Sequence, residues 1–220
     1  MHRVLFSSVV LLLVFSSCAP VLKPTPTHRL QIDNRLELAL ALPSLRWQFS
    51  TEAPDFIAQK MIDHLRQEVA TIAPEINDKQ LLLLARKRLS VNEGYVSNEH
   101  SGAYLMIDFS SRRQEKTGQT RGELQASAHG ALLALANEEG VTNLESRITS
   151  SSIVGSSNAC RVEARYLLDG QARSFVGLIG YKAPYRFYLY YTDPLRDPRD
   201  QVEMEQILNS LQLLPTSQAE

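Results

Sequence analysis

Hydrophobic and polar positions alternate over several stretches of this chain and recur at helical spacing over others. Leu36, Leu38, Leu40 and Leu42 alternate with Glu37, Ala39 and Ala41, and Leu45, Trp47 and Phe49 alternate with Arg46, Gln48 and Ser50. A period of two predicts strands, with Pro43-Ser44 as the turn between them. Pro54 opens a helix, where its missing N–H costs nothing, and Asp55 in the first turn suits the helix dipole. Ile57, Met61, Leu65, Val69 and Ile72 follow at helical spacing, and Pro74 closes the helix. Leu81 to Leu84 reads as a short buried strand, residues 90–102 as a polar loop and Ala103 to Phe109 as a strand. A polar loop over 110–119 leads to Thr120-Arg121-Gly122-Glu123, a capping-box pattern. The helix it starts runs through Leu124, Ala128, Ala131, Leu132 and Leu135, with Gly140 as its left-handed terminator.

The last third carries the clearest pattern. Ile148 to Val154 reads as a weak strand. Cys160, Val162, Ala164, Tyr166 and Leu168 then alternate with Arg161, Glu163, Arg165 and Asp169, and Asp169-Gly170 is a hairpin turn signal. Phe175 to Tyr181 forms the return strand, Ala183-Pro184 a second turn and Tyr185 to Thr192 a third strand. Asp197-Pro198 caps a final helix with a stripe of Met204, Ile207, Leu208 and Leu211. Consecutive hairpins imply an antiparallel sheet. The strand Tyr185 to Tyr191 is apolar or aromatic on both sides, which calls for helices on both faces. The expected fold is therefore α+β: an antiparallel sheet of six or seven strands flanked by helices, in one domain over residues 31–215, with a disordered tail at 216–220.

The N-terminus changes this picture. Met1-His2-Arg3 is followed by a run from Val4 to Phe15 interrupted only by Ser7 and Ser8, then by Ser16-Ser17-Cys18-Ala19-Pro20. A charged region, an apolar region and a small-residue cleavage zone together read as a signal peptide over residues 1–17. The apolar run is about a dozen residues, too short to span a hydrocarbon core of roughly 30 Å. Phe15-Ser16-Ser17-Cys18 resembles the bacterial lipobox, departing from it at Phe15, where Leu is usual. The resemblance implies lipidation of Cys18 and anchorage of the mature chain, each buried CH₂ contributing about 0.8 kcal/mol. Ala19 rather than Asp after the cysteine resembles the outer-membrane sorting pattern. A plain secretory signal with an incidental cysteine is the alternative. Residues 18–30, with Pro20, Pro24 and Pro26, read as an extended spacer between lipid and domain.

Composition narrows the class. Apolar residues make up 44% and charged residues 21% of 220, and 23 basic residues face 24 acidic ones. These values exclude a polytopic membrane protein and a wholly disordered chain. A net charge of −1 provides no global field to recruit nucleic acid. Two cysteines are too few for a disulfide scaffold or a four-cysteine zinc site.

The C-terminal run from Ser174 through the aromatic strand to Ile207-Leu208-Asn209-Ser210-Leu211 resembles the end of Mog1/PsbP-type domains: a hairpin, an aromatic strand, a closing helix and a short apolar tail. The resemblance implies an α/β/α sandwich and a binding or assembly role. It brings no catalytic set with it, and fold analogy alone does not establish function.

Candidate chemistry is sparse. His2, His28, His64, His100 and His129 do not pair at metal-ligand spacing, and no metal site or cofactor is expected. Glu99-His100 lies in a polar loop and can bind or titrate. Asp193, Asp197 and Asp200 offer oxygen ligands suited to calcium. They lack the EF-hand spacing and stand beside Arg196 and Arg199, so a turn and helix cap account for them. Cys160, on the phase of Val162 and Ala164, is expected to point inward as an inert thiol, with an intermolecular disulfide as the alternative. Tyr181, Tyr185, Tyr188, Tyr190 and Tyr191 crowd into one segment, and tyrosine serves both cores and interfaces. Arg186, Tyr188 and Tyr190 share one side of their strand and form the candidate binding surface. No nucleophile elbow, P-loop or dinucleotide fingerprint occurs.

Three functions follow in order. The first is a non-enzymatic envelope lipoprotein whose tethered domain binds a protein partner. The second is a carrier of a small apolar or lipid ligand, held between a helix and the aromatic face. The third is an envelope hydrolase in which Glu99, His100 and Asp108 converge.

Overall fold

A computed structural model of the chain describes residues 25–69, 75–111 and 120–216. The signal peptide, Cys18, Pro74 and most of the 110–119 loop lie outside the described residues. In chain order the elements are β1 (His28–Gln31), β2 (Leu36–Leu40), β3 (Gln48–Ser50), α1 (Asp55–Val69), α2 (Asp78–Leu89), β4 (Gly94–Asn98) and β5 (Ala103–Ser111). They continue as α3 (Arg121–Ala136), β6 (Val141–Ser151), β7 (Asn158–Leu168), β8 (Gln171–Lys182), β9 (Tyr185–Asp193), α4 (Arg199–Ser210) and β10 (Gln212–Pro215).

The fold is α+β, built on a seven-stranded antiparallel sheet ordered β3-β4-β5-β9-β8-β7-β6. A second sheet of three strands is ordered β1-β2-β10. The β7–β8 hairpin turns at Asp169 (φ 51°) and Gly170 (φ 76°). Two successive positive φ values match the twist of the flanking strands, and Asp-Gly supplies them at low cost. The β8–β9 hairpin has a close approach at Gly180, which faces Phe187 across the ladder. A Cβ at 180 would overlap the Phe187 ring, so only glycine fits there.

The main core gathers β2, β10 and α4 around one set of sheet positions. Leu38, Leu213, Met204 and Ile207 cluster with Leu105, Ile107, Leu178, Phe187 and Leu189. A separate cluster joins Leu124 and Ala128 of α3 to Cys160, Val162 and Ile179. A third joins Ile57 and Ala58 of α1 to Tyr95, with Tyr104 and Met106 packed alongside.

Four expectations from the sequence need correction. Residues 36–50 do not form a hairpin: β2 and β3 belong to different sheets. All five residues of β2 are buried, with Leu36, Leu38 and Leu40 packed in the main core beside Met204 and Ile207, whereas Leu45 is fully exposed. The chain crosses over between them because Arg46 and Trp47 are held by carboxylates at the start of α4. Residues 81–84 are helical, not a strand. Asn77 accepts from the Gln80 N–H while Gln80 Oε1 accepts from the Asn77 N–H, both at 3.0 Å, and this reciprocal cap starts α2. Leu81, Ala85 and Leu89 form its buried stripe.

Residues 90–102 are not all loop. They contain β4, whose five residues are all buried between β3 and β5. Finally, α3 ends at Ala136 with Asn137 as a right-handed C-cap. Gly140 (φ 82°) serves the turn into β6, where a side chain would meet the Asp169 carboxylate. Two boundaries also shift: β6 begins at Val141 rather than Ile148, and β1 begins inside the stretch read as spacer.

Candidate functional site

The residues expected to form a binding surface lie together. Arg186, Tyr188 and Tyr190 occupy one side of β9, all half-buried. The Arg186 guanidinium donates to the Tyr188 hydroxyl at 3.0 Å. The Tyr188 and Tyr190 ring centroids are 6.0 Å apart, and Tyr190 lies 5.5 Å from Phe175. These rings pack against the α3 cluster of Leu124, Ala128 and Ile179. Burial pushes the Tyr190 phenol well above its ordinary range. The aromatic row thus acts largely as the seat of α3.

The carboxylate and histidine of the hydrolase reading are not brought together. Asp108 faces Tyr188 in the middle of the β5–β9 ladder, and burial raises its carboxyl. Glu99 and His100 are exposed on the β4–β5 turn. Asp108 lies five residue steps along the strand from Ala103, about 16 Å at the usual rise. His64 pairs with Glu68 on the surface of α1, 2.9 Å away. His28 packs near Phe49, and His129 is exposed on α3. Cys160 is buried against the Leu124 carbonyl, and burial raises its thiol.

The aspartates at the start of α4 gather around a guanidinium. Arg46 reaches Asp197 at 2.6 Å, Asp200 at 2.6 Å and Glu203 at 2.8 Å. Glu203 also accepts from the Trp47 indole at 2.8 Å, and Asp200 from the Asn98 amide at 3.0 Å. Asp200 is fully buried, so this cluster fixes α4 to the β2–β3 crossover and to β4. Hydrogen bonds from the Arg199 side chain and backbone hold the Asp197 carboxyl far below the carboxylate range. Asp193 accepts from the Leu195 N–H at 2.7 Å, and burial raises its carboxyl. The buried Tyr191 phenol beside it is raised too, by burial first and by the Asp193 charge second. Among the described residues, no group of three or more His, Cys, Asp or Glu side chains is placed to hold a metal ion.

The feature that sequence reading missed is a groove of about 620 Å³, open to solvent, between α4 and strands β6 to β9. Its floor includes Val176 and Tyr191, and its α4 wall includes Val202 and Glu205. Charges of alternating sign cross it. Arg161 Nη1 donates to Glu205 at 3.0 Å and Arg161 Nε to Glu163 at 2.9 Å, while Arg147 donates to Glu163 from β6. Burial opposes the charge on Arg161, but its bonds to Glu205 and Glu163 outweigh that and raise it. The Arg147 hydrogen bond is the main cause that lowers Glu163. Among the described residues, no histidine or cysteine lines this groove. Its chemistry is recognition by paired charge over an apolar floor. The alternation of Arg161, Glu163 and Arg165 was legible as a polar strand face, but the facing Glu205, on another element, was not.

Compared with known proteins, the chain matches no family and no curated sequence. No helix among the described residues is long and apolar enough to cross a membrane.

Proposed function

We propose that this chain is a lipoprotein of the bacterial envelope, held at the periplasmic face of the outer membrane by lipidated Cys18, whose tethered domain binds a protein partner without catalysing a reaction. The binding half rests on one observation, the open groove between α4 and β6 to β9. Its row of alternating charges over an apolar floor suits an extended polypeptide, which offers side chains at regular spacing. We favour it over the Arg186, Tyr188 and Tyr190 surface, whose rings are partly covered by the α3 cluster. The anchoring half rests on the lipobox-like sequence ending at Cys18.

The finer architecture in this reading is the α/β/α sandwich of the Mog1/PsbP type. Its support is that α3 side chains cluster with Cys160, Val162 and Ile179, while α4 side chains cluster with Leu178, Phe187 and Leu189. Leu178 and Ile179 are neighbours on β8, and Phe187 and Leu189 alternate on β9 with Tyr188 and Tyr190 of the α3 side, as residues on opposite sides of a sheet do.

A photoreactive residue at Val202, on the groove wall, tests the binding role in the full chain in membranes. A discrete protein adduct is expected from position 202 and not from position 83 on α2, and Glu205→Arg should abolish it. Recovery of monomer alone from position 202, under several crosslinking chemistries, removes the proposal. Cys18→Ala tests the anchor separately: the protein should leave the membrane fraction, and retention there would sink the lipoprotein reading.

A further inference from the structure

Strand β6 is the outer strand of the seven-stranded sheet, and no described strand pairs with its free side. The opposite edge, β3, is only three residues long. In contrast, β6 runs for eleven residues, and most of them are exposed. Long open edges invite another strand to pair with them, and proteins that avoid this usually place like charges, prolines or bulges there. A bulge does lie between Thr142 and Glu145. From Glu145 to Ser151 the ladder is regular, contains no proline and carries two charges of opposite sign.

The hydrogen-bond phase of this edge can be followed from the β7–β8 turn. A two-residue turn at Asp169-Gly170 makes Leu168 and Gln171 the closing hydrogen-bonded pair. Alternation along β7 then directs the backbone groups of Arg161, Glu163 and Arg165 toward β6, where they meet Thr149, Arg147 and Glu145. The N–H and C=O groups of Ser146, Ile148 and Ser150 therefore point away from the sheet.

We propose that β6 pairs with β6 of a second copy of this chain, antiparallel, about a two-fold axis at Ser146. That axis sets Arg147–Ser151 of one copy against Val141–Glu145 of the other, so the bulge between Thr142 and Glu145 confines regular pairing to the residues on either side of Ser146. It places Ser146 opposite itself as a hydrogen-bonded pair. It also sets Glu145 opposite Arg147 of the second copy, twice, in non-hydrogen-bonded pairs, where side chains approach most closely. Arg147 can serve this contact, since its Nε faces Glu163 while 73% of the side chain is exposed. An axis at Arg147 would oppose Arg147 to itself and repel, and one at Ile148 would set Glu145 opposite Ser151 and Arg147 opposite Thr149, with no ion pair. The pairing is isologous, so it closes as a dimer and leaves no new edge. It goes beyond the groove reading and does not depend on it.

The test uses the full chain in membranes, carrying Ser146→Cys and treated with a short bis-maleimide. A crosslinked homodimer is expected, with none from a Leu83→Cys control. Adding Glu145→Arg or Arg147→Glu alone should reduce the dimer at least tenfold, and combining the two substitutions should restore it. The proposal is overturned if Ser146→Cys stays monomeric, if its adduct is a different protein, or if the double exchange fails to restore what each single exchange removes. Glu145, Ser146 and Arg147 also line the groove, so the homodimer and its restoration by the double exchange, not the Val202 adduct, decide this pairing.

Discussion

Arg46 shows how one side chain can organise a region without any local pattern announcing it. In the sequence it is the polar member of an alternating strand, and its three carboxylate partners lie more than 150 positions away. Removing it leaves Asp200 buried without its ion pair, a loss worth about 3 kcal/mol. Arg46→Ala should lower the urea-unfolding free energy by about that amount, and Arg46→Lys should recover only part of it, since a single ammonium nitrogen cannot span the acceptors that Nη1 and Nη2 reach separately. Asp193 makes an opposite prediction. Burial raises its folded carboxyl above the unfolded value of about 3.9. In the window above that value the native state keeps a proton the unfolded state has released, so stability falls as pH rises. An asparagine amide in its place cannot ionise and still offers an oxygen to the Leu195 N–H. Urea titrations at pH 4 and pH 7 should show Asp193→Asn gaining on the parent protein as pH rises; an unchanged gap would refute the assignment.

At the level of elements, legibility followed the locality of the signal. The Thr120 capping box and the Asp169-Gly170 turn are written within four residues and two residues, and both form as expected. The Thr120 hydroxyl accepts from the Glu123 N–H, and Glu123 accepts from the Thr120 N–H. Thr120→Ala should cost about 1 kcal/mol in a thermal or urea melt. The α2 run Leu81 to Leu84 failed because four apolar residues fit either period. The cap at Asn77 and Gln80 was the deciding signal. Strand β4 failed because its Gly94 and Asn98 read as loop, yet Asn98 is buried to bond Asp200 on a distant helix. Gly180→Ala should destabilise by about 1 to 3 kcal/mol, since overpacking forces Phe187 or the backbone to move.

Across the whole molecule, the antiparallel sheet was legible and the second sheet was not. Hairpins join neighbours, so alternation and turns suffice to order β7, β8 and β9. No turn connects β2 to β10. The groove was hidden for the same reason, since its wall and floor come from distant stretches of chain. If groove charges recognise a partner, raising salt from 0.05 M to 0.5 M should weaken the Val202 adduct, because exposed charges are screened beyond a few ångströms at such ionic strength.

The placement of β10 sets an order of events. Leu213 and Leu211 sit in the main core, and the Ala41 N–H bonds the Ser210 hydroxyl across 169 positions of chain. Ribosomes release the N-terminus first, so β2 exists long before the strand that completes its sheet. Until then its five buried residues have one flank open, and closure must await a contact of high sequence separation, which forms slowly. A nascent chain shortened before Gln212 lacks the strand that pairs with this flank, so β10 acts as a checkpoint that only a chain carrying Gln212–Pro215 passes.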